Sequence, residues 1–184
     1  SRGQTIAEPL GFDDGSYIEF PDIAYTSPDC KNAAGFFVRP GMDWLDLLIG
    51  SDGTLCLFLD IRLQLLPAPS QFLSGILFFE SDEFCWEIVE TLRGSNEDMI
   101  DPCALEYFDR FSLDKLRADG TSIPETSEAA LFFEQDIYDA SDYDPCLESW
   151  YELLESKGVD LESSWFAETA KDIERFHDFR HRVP

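Results

Sequence analysis

From Leu55 to Leu66 the chain alternates with period two. Leu55, Leu57, Leu59, Ile61, Leu63 and Leu65 fall on one side, and Cys56, Phe58, Asp60, Arg62 and Gln64 on the other. A helix cannot segregate such a pattern; a strand with one buried and one mixed face does. Pro67 and Pro69 end the run. Leu73–Glu80 (LSGILFFE) then reads as a second strand, and the short connection predicts an antiparallel pair.

The rest of the first half carries weaker β signals. Residues 1–15 hold Gly3, Pro9, Gly11 and Gly15 and read as an irregular lead-in. Ser16–Thr26 is a strand candidate interrupted by Pro21, which cannot donate to a ladder. Gly35–Arg39 reads as a short strand. Met42–Ile49 reads as a short helix, with Gly50 suited to the position after its C-cap.

After residue 81 the period becomes helical. Ser81 or Asp82 starts a helix with Phe84, Ile88 and Leu92 on one face and Gly94 at its end. Asp101-Pro102 and Asp144-Pro145 have the form of an N-cap followed by proline at the first helical position. The first predicts a helix presenting Leu105, Phe108 and Phe111; the second predicts one presenting Leu147, Trp150, Tyr151 and Leu154, closed by Gly158. Ala129–Tyr138 fits helix or strand. A last helix is expected from Asp160 or Ser163, carrying Phe166, Ala170, Ile173 and Phe176. The expected fold is α+β, a small, mostly antiparallel sheet in the N-terminal half packed against a helical C-terminal half. The length of 184 residues fits a single domain over 1–184, β-rich over 16–80 and mostly helical over 81–182.

Charge then narrows function. Lys plus Arg number 13 and Asp plus Glu 38, a net charge of −25, where small domains usually carry a magnitude of about 2–8. The 16 phenylalanines exclude a disordered acidic tail. Such a field repels nucleic acid and anionic membrane. It favours a basic protein partner.

Five cysteines, an odd number with no C-x-x-C pair, fit neither a zinc site nor a disulfide framework and point to a reducing, cytoplasmic setting. No signal-peptide pattern opens the sequence, although it begins at Ser1, and no apolar run reaches the ~18 residues of a membrane span.

The densest acidic interval lies between Arg117 and Lys157, which encloses no basic residue. Glu134, Asp136, Asp139, Asp142, Asp144 and Glu148 fall there with Tyr138 and Tyr143 among them. Carboxylates accept charge-assisted, often bidentate, bonds from arginine, and tyrosine offers rigid area and a face for a cation. These eight residues are the expected partner-binding set.

Other chemistries fit less well. Asp136, Asp139, Asp142 and Asp144 offer calcium-type oxygen ligands but lack the order and central glycine of an EF-hand loop. Pro21-Asp22 with Asp60-Ile61-Arg62 resembles a nuclease pattern only faintly, with arginine where a lysine is needed. His177 and His181, the only histidines, share a helix face but have no marked third ligand. No catalytic motif is present and no cofactor is expected.

The expected function is therefore an acidic protein-binding module, an inhibitor or immunity-type neutraliser seated on a nucleic-acid-binding surface of its partner. Small acidic immunity proteins and DNA mimics share this charge logic, by composition rather than motif. Two alternatives stand beside it. One is an enzyme of an unrecognised family with a carboxylate or cysteine site. The other is a viral or effector adaptor for a host protein complex.

Overall fold

A computed structural model describes residues 6–20, 25, 27–30, 32–94 and 99–183. The fold is α+β with antiparallel sheets, and the chain divides into two compact units, 1–65 and 66–184.

In the first unit, β1 (Leu10–Gly11) pairs antiparallel with β2 (Tyr17–Ile18), Leu10 opposite Ile18. Helix α1 (Trp44–Leu48) starts at a capping box in which Asp43 accepts from the Asp46 N–H and the Asp46 carboxylate accepts from the Asp43 N–H. Trp44 is buried, and its indole N–H donates to the Glu8 carbonyl at 2.8 Å. Gly50 takes the positive φ (77°) expected after a helix end. Gly35–Arg39 joins no ladder, so the strand expected there does not form. Pro21 and Asp22 lie outside the described residues.

The strongest sequence signal meets the largest correction. Leu55–Leu66 lies in neither helix nor strand. A strand exists only where a neighbour takes its N–H and C=O groups. Among the described residues no backbone hydrogen bond is made between Leu55 and Pro69.

The second unit is built on a four-stranded antiparallel sheet of β3 (Gln71–Phe79), β4 (Ala104–Phe108), β5 (Ala129–Ile137) and β6 (Trp165–Phe166), in the order β4-β5-β3-β6. β3 and β5 pair along their whole length, from Gln71 opposite Ile137 to Phe79 opposite Ala129. β3 is thus the predicted second strand, but its partners are β5 and β6 rather than Leu55–Leu66. β3 is buried on both faces from Leu73 to Phe79, which explains its continuous apolar run. Gly75 is required there: a β-carbon would come within 2.5 Å of the Phe133 ring and 2.7 Å of the Trp165 carbonyl oxygen.

Helices cover both faces. α2 (Asp82–Gly94) and α4 (Tyr143–Ser156) bring Ile88, Leu92, Trp150 and Leu154 onto Leu73, Leu77, Leu131 and Phe133. The Trp150 and Phe133 rings stack 4.1 Å apart. On the other face, α3 (Arg110–Ala118) and α5 (Ala170–His181) bring Leu113, Leu116, Phe176 and Phe179 onto Ile76, Phe78 and Phe132.

Two helix starts lie several residues beyond where the sequence places them. Asp101-Pro102 opens no helix. The following Ala104–Phe108 is β4, paired with β5, and α3 begins after Asp109, whose carboxylate accepts from the Ser112 N–H at 2.8 Å. Phe108 is buried from the strand, while Phe111 is exposed. Asp160 closes a turn by accepting from Glu162 and Ser163, and the last helix starts at Ala170 behind a Thr169–Asp172 capping box. The ambiguous Ala129–Tyr138 segment is a strand through Ile137, with Tyr138 just beyond it.

Candidate functional site

The end of β5, a 3₁₀ turn at Ala140–Asp142 and the start of α4 bring the acidic interval together. They frame a cleft of about 330 Å³ lined by Asp101, Cys103, Gln135, Asp136, Tyr138, Asp142 and Cys146, with Met99 and Ile137 at its apolar side.

Gln135 fixes the floor. It is buried and all its bonding capacity is used. Its Nε2 donates to the Met99 carbonyl (2.9 Å) and to Cys146 Sγ (3.1 Å). Its Oε1 accepts from the Asp101 N–H (2.9 Å) and the Trp150 indole N–H (2.9 Å). One side chain therefore ties β5, α4 and the segment before β4 into a fixed frame.

The cleft is acidic, and its two thiols are held in the protonated form. The Cys103 thiol donates to the Glu134 carbonyl (3.3 Å) and faces Asp136 Oδ1 at 3.6 Å. Burial and then the Asp136 carboxylate push it up to about 11. Burial, with Asp142 nearby, also raises the Cys146 thiol. Both stay protonated at neutral pH, and the thiolate is the reactive form. Among the described residues no group of three or more His, Cys, Asp or Glu side chains is placed to hold a metal ion.

The eight residues of the expected binding set separate in space. Tyr138, Asp139, Asp142, Asp144 and Glu148 are exposed and contiguous along the turn and the first turns of α4. Asp139 caps the 3₁₀ turn, accepting from the Ser141 N–H and hydroxyl, and these bonds hold its carboxyl below the usual range. Asp136, half-buried, accepts from the Tyr138 hydroxyl at 3.3 Å. Tyr143 is half-buried and donates to the Ala167 carbonyl at 3.3 Å. Glu134 stands apart, 9% exposed, with its carboxylate 2.7 Å from His177 Nε2 of α5. His177 is thereby engaged, and His181 is exposed at the helix end.

α4 extends the surface in a regular way. Cys146, Trp150 and Leu154 point inward at every fourth position. Asp144, Glu148 and Glu152 repeat at the same interval on the exposed side, followed by Glu155. Like charges four apart on a helix repel. The last turn of α4 has no basic residue, and none of the carboxylates from Asp136 to Glu155 forms an ion pair among the described residues. Elsewhere on this unit the pattern is the reverse. Arg110, Lys115, Arg117, Arg180 and Arg182 each hold a carboxylate of their own unit. Sequence reasoning found the exposed acids because charge runs are local. It missed Gln135 and Cys103, whose partners lie far away along the chain.

No protein-family model matches the sequence, and comparison with curated proteins finds no match. Among the described residues no helix is long and apolar enough to cross a membrane.

Proposed function

We propose that this protein is an acidic docking module. The surface formed by Tyr138, Asp139, Asp142, Asp144, Glu148 and Glu152 seats a basic face of a partner protein. The observation that carries the reading is the uncompensated carboxylate row along α4. Most cations of the same unit are already bonded to other acids, while among the described residues this row has no cationic partner and repels itself. An arginine-rich surface relieves that repulsion and gains charge-assisted bonds. The fixed floor under Gln135 keeps the carboxylates in place before binding, which lowers the ordering cost.

The net charge of −25 favours partners whose own ligand is polyanionic, and the finer reading is an inhibitor that occupies a nucleic-acid-binding groove. Nucleic acid then competes for the partner.

The combined variant Asp139→Asn, Asp142→Asn, Asp144→Asn and Glu148→Gln tests the site. The amides keep shape and the Asp139 cap while removing four charges. Association with the partner is expected to slow at least tenfold at low salt, with a flatter dependence on ionic strength. An unchanged association rate removes the site from this face.

A further inference from the structure

We propose that residues 57–65 are a self-complementary β-strand that pairs antiparallel with the same segment of a second copy of this chain, about a two-fold axis at Ile61. This segment belongs to the first unit, whereas the acidic face belongs to the second. Leu57, Leu59, Ile61, Leu63 and Leu65 are 83%, 89%, 63%, 76% and 82% exposed. Five such side chains at roughly 100 Å² each leave about 500 Å² of apolar surface per copy, at the upper end of what a monomer carries. Packed face to face, two such surfaces bury about 1,000 Å², the lower bound of a specific interface. The backbone is equally unsatisfied, since no hydrogen bond is made between Leu55 and Pro69 among the described residues. The pattern is a strand; the partner strand is what the chain lacks.

The sequence selects a second copy as that partner. Read outward from Ile61, the segment is nearly a palindrome: Asp60 mirrors Arg62, Leu59 mirrors Leu63, and Leu57 mirrors Leu65. In an antiparallel pair centred on Ile61, each Asp60 lies directly opposite the other copy's Arg62, twice over, and every leucine meets a leucine. Moving the centre to residue 60 sets Asp60 against itself, and moving it to residue 62 sets Arg62 against itself. The two neighbouring registers that keep the apolar residues on one face are thus penalised by like charges. Neither side chain has a partner within its own chain among the described residues, so both are free for this role. They are also the only charges between Gly53 and Phe79. In a chain of net charge −25, this is a long neutral stretch where two copies can approach.

A closed two-fold arrangement is the commonest form of self-association. A two-stranded ribbon alone is marginal and still shows its leucine face to water. Two ribbons stacked face to face, about 10 Å apart, bury both faces. The assembly therefore has two or four copies.

Sedimentation of the full chain over a range of concentrations reads the mass, and charge swaps read the register. Asp60→Arg alone, or Arg62→Asp alone, sets like charges opposite each other at both positions and is expected to weaken assembly about tenfold. The two swaps together restore opposite pairs and return the dissociation constant to within about threefold of the parent. Cross-linking adds a second reading, in a background with Cys30, Cys56 and Cys103 changed to Ser. Ile61→Cys meets its own copy at a Cα separation of about 4.5–5.5 Å, within disulfide reach. Leu57→Cys lies about 27 Å from its own copy and should not link. Leu57, Asp60, Ile61 and Arg62 are exposed, so every variant, diluted to the monomer, should unfold in urea at the parent's midpoint. A monomer at all concentrations, including one that instead binds lipid vesicles or a different protein through these leucines, overturns the proposal. So does an odd-numbered assembly, a double swap no better than the singles, or equal linking at positions 57 and 61.

Discussion

Gln135 shows how one residue sets the geometry of a surface it does not reach. Its amide bonds groups at Met99 and Asp101, in the segment before β4, and at Cys146 and Trp150, on α4. Gln135→Met keeps the volume and removes every one of these bonds. The Trp150 indole N–H then stays buried without an acceptor. Unsatisfied buried groups cost about 1–3 kcal/mol each, so a loss of about 3 kcal/mol is expected in urea unfolding. A loss below about 1 kcal/mol would show that water replaces the amide and that the floor is not fixed. Nothing in the sequence marks this residue. A glutamine near a strand end reads as solvent-facing, and its partners lie 11 to 36 positions away. The Glu134–His177 pair is illegible for the same reason, being 43 positions apart.

Elements were legible where their chemistry is local. The helix after Ser81 has its stop at Gly94, and α4 ends before Gly158, because caps and turn glycines act within a few residues. The Asp101-Pro102 signal misled because a local start rule competes with sheet pairing, and β5 supplies the partner that makes Ala104–Phe108 a strand. Leu55–Leu66 misled in the opposite direction: alternation describes the strand but not its neighbour. The cap that does start α3 gives a test. Hydrogen bonds from Ser112 hold the Asp109 carboxyl below its ordinary 3.8. A depressed folded value stabilises the native state above the ordinary aspartate range, and that gain is lost as pH falls through the folded value. Asp109→Ala should cost about 1 kcal/mol at neutral pH. The gap from the parent should stay constant down to about pH 4 and narrow below it. A gap that widens in acid would contradict the cap.

At the scale of the whole molecule, charge outweighs any single bond. With 38 acidic and 13 basic residues, most carboxylates have no cation to meet. Raising salt from a few millimolar to ~0.15 M shortens the screening length to ~8 Å. Relief of self-repulsion should then raise the melting temperature by about 3 °C, corresponding to about 1 kcal/mol. A melting point indifferent to salt would mean that the acids are spaced widely enough not to repel. The same unspent field is what the docking account uses. Its most direct test is capture of partners from the source lysate at low and raised salt, with the parent protein and the four-site amide variant as paired baits. A basic protein should be held by the parent at low salt, released by raised salt or by added nucleic acid, and absent from the variant. Equal capture of the same proteins by both baits, at either salt, would contradict it.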